Sequence, residues 1–444
     1  MTADGAPPTL DYEAALAALA VRGRFGVRLG LGRTRALLRA LGDPQLGLRG
    51  ALVAGTNGKG SVLALAGSAL RAAGSRVGLT PKPHLVSYRE RIVVDGQPIP
   101  ADDLARHVSA VLRVTDGVAR RHGEPTEFEL LTAVVFRHFA EVGLDVALVE
   151  VGLGGRLDAT HVWDGGVAVV TNVDLDHMEQ LGPTIRAIAR QKAAIIERGD
   201  RAVTGTTGEA LAVVRRRARA LDVPLTVAAP APLLGWDRDG IEVLLPSLGR
   251  TRVGLRGRHQ AANVAVADAL LDALEDAGIA QAPAAARRRG YATVSWPGRL
   301  ELLAVDGRDV LLDGAHNPAG AAALAIALDD LRTHLSPGSL TLLTASMADK
   351  DVDGVIDALA VSGALRGALV LTTAVDAPRA LPADALAARW RARAGDVVAA
   401  VRALGPAGAA LDRALAAGGS GPLIVAGSLY LVGAARARWV ADLP

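Results

Sequence analysis

Along most of the chain, short apolar runs alternate with longer stretches whose apolar positions recur at helical spacing. Such runs fit strands buried on both faces, and such stretches fit the helices that cover them. Residues 145–151 (DVALVEV) and 166–173 (GVAVVTNV) are the clearest strands, with shorter ones at 52–54, 76–80 and 201–204. Helices are predicted at 11–20, 33–40, 62–73, 101–121, 129–142 and 185–197, a loop at 24–32, and a hairpin over 89–94 turning at Asp95-Gly96. Residues 1–8 read as disordered. Between 224 and 256 the texture changes to short strands and turns, before a helix at 263–277. Residues 291–298 lack clear periodicity and carry Pro297-Gly298, which suggests a linker. Beyond it come strands at 300–305, 310–312, 340–344, 368–372 and 423–426, with a helix at 319–331. The alternation predicts α/β sheets covered on both faces, in one domain over 1–297 and a smaller one over 298–444.

Composition narrows the class. A chain of 444 residues has ample core for two or three domains, and its 50% hydrophobic content contains no run long enough to cross a bilayer. The N-terminus has no basic segment followed by an apolar one, and cysteine is absent. Disulfides, thiolate metal sites and cysteine nucleophiles are thereby excluded, and a soluble cytoplasmic protein is expected. The net charge of +3, from 49 basic and 46 acidic residues, is small for the length. With aromatics at 3%, stacking platforms for single strands are scarce, so neither nucleic acid nor membrane is an expected partner.

The chemistry gathers at strand ends. Residues 51–62 (ALVAGTNGKGSV) read as strand, glycine loop and helix, which aims backbone N–H groups and a helix dipole at phosphate. Lys59 adds a point charge, and the Ser61 hydroxyl is placed to hold Mg²⁺, although Gly60 separates the two where the usual phosphate loop has them adjacent. Glu150 closes the DVALVEV strand near this loop, where a hard cation favours an oxygen ligand. His177 follows Asp174 and Asp176 after another strand and reads equally as a metal ligand or a structural histidine. Lys192, alone on a helix, would ordinarily be solvated. Asp313-Gly-Ala-His316 forms a further polar turn at a strand end in the second domain. The glycines of 152–157 do not complete a dinucleotide fingerprint, because Leu157 stands at the last glycine position.

These segments together resemble the folylpolyglutamate synthase/dihydrofolate synthase family within the Mur-type ATP-dependent ligases. The likeness runs through DYEAAL (11–16), GDPQ (42–45), AGTNGKGSV (54–62), PHL (83–85) with RERI (89–92), PTEFELLT (125–132), EVGLGGRLDAT (150–160), TNVDLDH (171–177), GRHQAAN (257–263), WPGRLE (296–301), DGAHNP (313–318) and GSLYLVG (427–433). The fold it implies is a phosphate-loop NTPase-like, mostly parallel sheet domain followed by a smaller Rossmann-like α/β domain. It implies ATP phosphates on Thr56, Asn57, Gly58, Lys59, Gly60 and Ser61. Mg²⁺ would lie on Ser61, Glu150 and His177, and the nucleotide on Asn263, Arg299, Asp313 and His316. Lys82, His84, Thr126, Glu127, Phe128, Glu129, Leu157, Asp158 and Ala159 would line the substrate side. Lys59, Lys192 and His177 would act in catalysis, with Lys192 carbamylated and a monovalent cation allowed. The substrates implied are ATP, L-glutamate and a folate or dihydropteroate, handled by a monomer.

Three positions depart from the family's pattern. Lys82 replaces a serine that holds a second Mg²⁺, and an ammonium cannot ligate a metal. Either Lys82 replaces part of that ion's charge or it swings to solvent and water fills the space. His161 stands where asparagine is usual, and Gln191 where glutamate precedes the lysine. The implied reaction is amide formation through an acyl phosphate. The rivals are a Mur-type ligase for another carboxylate and a non-catalytic nucleotide switch.

Overall fold

The computed structural model describes residues 9–23, 26, 28–417 and 419–441. The disorder expected over 1–8 and residues 24, 25 and 27 of the expected loop lie outside the described residues. The chain divides into two compact units: 230–264 joins the residues from 291 onward, and 265–290 joins those up to 229.

In the first unit, helices α1 (Tyr12–Gly23) and α2 (Gly32–Ala40) precede strand β1 (Gly50–Ala54), helix α3 (Lys59–Ala72) and strand β2 (Val77–Thr80). Short strands β3 (Val93–Val94) and β4 (Gln97–Pro98) follow, then helices α4 (Ala101–His122) and α5 (Glu127–Val142). Strand β5 (Val146–Glu150), strand β6 (Gly166–Val170), helices α6 (Met178–Leu181) and α7 (Ile185–Ala193), strand β7 (Arg201–Thr204), helix α8 (Gly208–Leu221) and strand β8 (Leu225–Val227) complete the sheet and its cover. The strand order is β4-β3-β2-β5-β1-β6-β7-β8. From β2 to β8 all neighbours run parallel, and β3 and β4 add antiparallel at one edge. Every residue of β1 and β5 is buried, as their unbroken apolar runs require when helices cover both faces. Each Val or Leu so buried contributes roughly 1.5–3 kcal/mol. The carboxyl ends of β2, β5 and β1 lie side by side, with Thr80 opposite Val149 and Val53 opposite Glu150.

The hairpin predicted over 89–94 is shorter than expected. Tyr88–Arg91 form one turn of 3₁₀ helix because the Glu90 carboxylate accepts from the N–H groups of Leu85, Val86 and Ser87. This local capping box claims the residues that would have extended the strand.

The second unit holds the antiparallel ribbon β9 (Leu233–Asp237), β10 (Gly240–Leu245) and β11 (Gly249–Val253), as the change of texture after 224 predicts. Helix α9 (Gln260–Asp276) begins in this unit and ends in the first, where helix α10 (Ala284–Thr293) packs, its Gly290 carbonyl accepting from the Ser68 hydroxyl. The main sheet of the second unit comprises β12 (Glu301–Val305), β13 (Arg308–Leu312), β14 (Thr341–Thr344), β15 (Leu369–Ala374), β16 (Ala400–Pro406) and β17 (Leu423–Ala426), in the order β12-β13-β17-β14-β15-β16. Only β12 is antiparallel to its neighbour. Helices α11 (Pro318–Leu331), α12 (Val352–Ala360), α13 (Ala383–Ala394), α14 (Ala407–Ala416) and α15 (Leu429–Trp439) accompany this sheet. Among the described residues no helix is long and apolar enough to cross a membrane.

Candidate active site

The phosphate loop joins β1 to α3, and its tightness depends on two glycines. Gly55, at φ 157°, passes so close to Thr171 that a Cβ would lie 1.9 Å from the threonine hydroxyl. Gly58 takes φ 79° immediately before the helix, where other residues are strained. The end of β6 clamps the loop: Asn172 Oδ1 accepts from the Asn57 N–H at 2.8 Å, and the Thr171 hydroxyl donates to the Asn57 carbonyl at 2.7 Å. The Thr56 hydroxyl donates to the Asp174 carbonyl at 3.2 Å and lies 3.1 Å from the Asp174 N–H. Sequence reasoning missed Asn172 and Thr171, although TNVDLDH contains both.

Lys59 folds back over the loop, donating from Nζ to the carbonyls of Gly55 (3.0 Å) and Thr56 (3.1 Å). The same ammonium lies 3.8 Å from Glu150 Oε1. Glu150 is 3% exposed, and its Oε2 accepts from the Lys82 N–H at 2.9 Å. Ser61 is buried in the first turn of α3. The buried carboxylate of Glu150, with a hydroxyl at the helix start and phosphate oxygens, makes the hard-oxygen donor set that Mg²⁺ takes. His177 is placed differently: it holds a left-handed φ of 50° before α6, its side chain is 44% exposed, and its Nε2 lies 3.9 Å from Asp176 Oδ2. Among the described residues no group of three or more His, Asp and Glu side chains gathers as a metal site.

Two lysines turn inward instead of facing solvent. Lys192, on α7, is only 5% exposed and donates from Nζ to the Gly55 carbonyl at 2.8 Å. Burial, then the charge of Lys59, lowers its pKa to about 7. Lys82 is half-buried and does not swing to solvent: its ammonium donates to the Glu150 carbonyl and faces the Phe128 ring at 4.9 Å. Burial lowers its pKa to about 8, against the attraction of Asp158 and Glu150.

A small pocket opens beside these groups, lined by Thr80, Lys82, Arg91, Phe128, Thr132 and Thr160 with apolar neighbours. Of the nine residues expected on the substrate side, Lys82 and Phe128 line it. Thr126 and Glu129 close the N-terminus of α5 as a capping box, and Glu129, 2% exposed, also accepts from Arg33 Nε at 3.0 and 2.9 Å. Glu127 accepts from the Tyr88 hydroxyl at 2.8 Å. Asp158 is buried and caps the turn over Ala159, accepting from the Leu153 and Thr160 N–H groups. Leu157 is exposed. His84 packs against Tyr88 with ring centroids 4.4 Å apart and accepts at Nδ1 from Arg91 Nε at 2.8 Å. Burial and the Arg91 charge lower its pKa to about 4, which keeps it neutral near pH 7. Arg91, unassigned in the sequence reading although RERI contains it, contributes the pocket's second cation.

In the second unit, Asp313 is held by the N–H groups of Leu300 and Ala315, each at 2.9 Å. Burial pushes its carboxyl up, against the pull of Arg299. Arg299 donates to the Gly298 carbonyl at 3.0 Å, and His316 Nδ1 lies 2.8 Å from the Gly314 carbonyl. Asn263 donates from Nδ2 to Gln260 Oε1 at 2.8 Å, and Gln260 Nε2 lies 3.1 Å from His259 Nε2. Gln260 and His259 went unassigned in the sequence, although GRHQAAN contains both.

With this geometry in place, comparison with known proteins gives consistent answers. Residues 53–228 match the Mur ligase middle domain, and 298–429 match the Mur ligase, glutamate ligase domain. The dihydrofolate synthase/folylpolyglutamate synthase of Bacillus subtilis is 35% identical over 346 residues, covering 76% of this chain and 80% of that protein. The probable bifunctional folylpolyglutamate synthase/dihydropteroate synthase of Haloferax volcanii is 36% identical over 455 residues, covering 97% of this chain. The chain spans about half the length of that archaeal relative, 51%. Among solved structures, Mycobacterium tuberculosis folylpolyglutamate synthase complexed with ADP and AMPPCP superposes with a TM-score of 0.87 at 33% identity, covering 98% of this chain and 100% of that one.

Proposed function

Because the chain belongs to the folylpolyglutamate synthase/dihydrofolate synthase family of Mur ligases, we propose that it joins L-glutamate to a folate or pteroate carboxylate, driven by ATP. The observation that carries this reading is the phosphate loop with Lys59, at the start of α3, 3.8 Å from Glu150 at the end of β5. The folate-side carboxylate oxygen attacks the γ-phosphorus, the bond to the β–γ bridging oxygen breaks, and ADP departs. The amine of glutamate then attacks the acyl phosphate carbonyl, and phosphate leaves as the nitrogen gives up its proton. In this scheme the loop N–H groups and Lys59 hold the phosphates and meet the charge that builds on the transferring group. Glu150 and Ser61 would hold Mg²⁺, which supplies further charge neutralisation when bound. Residues 126–129 and 157–159 are proposed to face the pterin side of the acceptor.

Lys192 is proposed to carry a carbamate. Its low pKa gives an appreciable neutral fraction near pH 7, and only the neutral amine adds to CO₂, releasing one proton as the N–C bond forms. The chain is proposed to act as a monomer in the cytoplasm and to accept both dihydropteroate and reduced folates.

Phosphate release and product mass, with ATP, Mg²⁺ and L-glutamate and each acceptor in a separate tube, test the reading. Turnover with both acceptors supports a bifunctional enzyme, and turnover with tetrahydrofolate alone supports a chain extender. ATP binding without turnover of either acceptor sinks the folate assignment.

A further inference from the structure

We propose that Lys82 is a tethered cation occupying the place of a second divalent ion beside the phosphate loop, so that the chain binds one metal ion per nucleotide. The inference rests on the ATP-dependent reading above and deepens it.

Lys82 and Glu150 are joined twice, although 68 positions separate them. The Lys82 backbone N–H donates to Glu150 Oε2 at 2.9 Å, and its ammonium donates to the Glu150 carbonyl. Both contacts follow from the sheet: β2 and β5 lie side by side, with Thr80 opposite Val149, so Lys82 leaves its strand next to the end of the other. The Phe128 ring, 4.9 Å from Nζ, gives the charge a second attractive surface on its apolar side. Lys59 reaches the carboxylate of the same glutamate, 3.8 Å from Oε1. Glu150 therefore carries one fixed positive charge at its side chain and another at its main chain.

An ammonium has three donors and no acceptor, so residue 82 offers a metal no ligand. Its charge also repels a divalent ion twice as strongly as it would a monovalent one at the same distance. What Lys82 can offer is an N–H to an anion, and charge-assisted hydrogen bonds to phosphate are among the strong ones. The Ser61 and Glu150 side is built differently, from hydroxyl and carboxylate oxygen, and suits a single Mg²⁺.

Titrating the full chain with Mn²⁺ in the presence of AMPPCP, followed by electron paramagnetic resonance, counts the bound ions. The expected result is one Mn²⁺ per chain in the wild type and two in Lys82→Ser, where an oxygen replaces the charge. Lys82→Met removes the charge and adds no ligand: one Mn²⁺ remains, and AMPPCP binds about tenfold more weakly. Far-UV circular dichroism checks folding, and Lys82→Leu reports the same loss of charge should Lys82→Met fail to fold. Two ions on the wild type, one ion in Lys82→Ser, or unchanged AMPPCP affinity in the folded neutral variant overturns the inference. Two ions on a nucleotide-binding wild type leave the ATP-dependent reading intact. A wild type that binds no AMPPCP overturns that reading and this inference with it.

Discussion

Lys192 Nζ donates a 2.8 Å hydrogen bond to the carbonyl of Gly55, the residue at which β1 enters the phosphate loop. A side chain that reads as surface charge thus sits under the loop. Its pKa of about 7 means that the neutral amine, and with it the carbamate, gains as pH rises through that value. In ¹³C-bicarbonate the chain should show a carbamate carbon resonance that grows between about pH 6 and about pH 8, given an ordinary lysine value near 10.4. Lys192→Gln should remove it. A resonance that survives this substitution belongs to another amine.

Lys59 is placed to meet charge on the transferring phosphoryl group. Lys59→Met should lower kcat by about 10²–10³-fold, the cost typical of losing one group that stabilises developing charge. Steady-state kinetics beside a nucleotide-binding titration would check this, with binding expected to weaken less than turnover.

Thr126 opens α5 by accepting from the Glu129 N–H at 3.3 Å, while its own N–H donates to Glu129 Oε2 at 2.8 Å. Thr126→Ala should cost about 0.5–2 kcal/mol of stability and Thr126→Ser almost none. Urea unfolding of the two variants separates the cap from a contact to substrate, which would appear as a raised KM.

Arg287 is buried against Asp268, at 3.0 Å, and also reaches Asp272 at 2.7 Å. Removing the cation takes away the ion pair of a buried carboxylate, so Arg287→Met should destabilise by about 3–5 kcal/mol. Adding Asp268→Leu should recover much of that loss in the same unfolding assay.

Asp200 is buried, with Oδ2 accepting from the Glu197 N–H at 2.8 Å. Burial, helped by the neighbouring Asp164 carboxyl, raises its pKa well above the usual carboxylate range. A raised value means the folded chain binds the proton more tightly. The stability this confers is full below the ordinary aspartate range and is lost as pH rises through the folded value. Asp200→Asn, neutral throughout, should therefore raise Tm at about pH 8.5 more than at about pH 5.

The main sheet elements and the phosphate loop were legible in the sequence because their signals are local. An apolar run, Gly-Lys-Gly-Ser and an apolar helix are contiguous in 51–73 and need no distant partner. The contacts of Lys82 and Lys192 were not legible, since the groups they bond lie 68 and 137 positions away. Strand β16 was missed for another reason: its alternation is weak, Gly405 and Pro406 close it, and it lies at the sheet edge with no residue fully buried. The Thr126 and Glu129 cap shows a further difficulty. A motif that points to a ligand pocket also builds the helix end that shapes the pocket, and residue type alone does not divide the two tasks.

The registered ends of β2, β5 and β1 act as a ruler. Each strand residue advances about 3.3 Å and reverses the face to which its side chain points. Losing one residue from β5 would withdraw Glu150 from the carboxyl edge or turn it into a covering helix, while Lys59 and Lys82 stayed where their own strands left them. Chain-length changes within the three strands are therefore not tolerable. Whatever residue stands at 82 is delivered beside Glu150 only so long as the strand lengths behind it are kept.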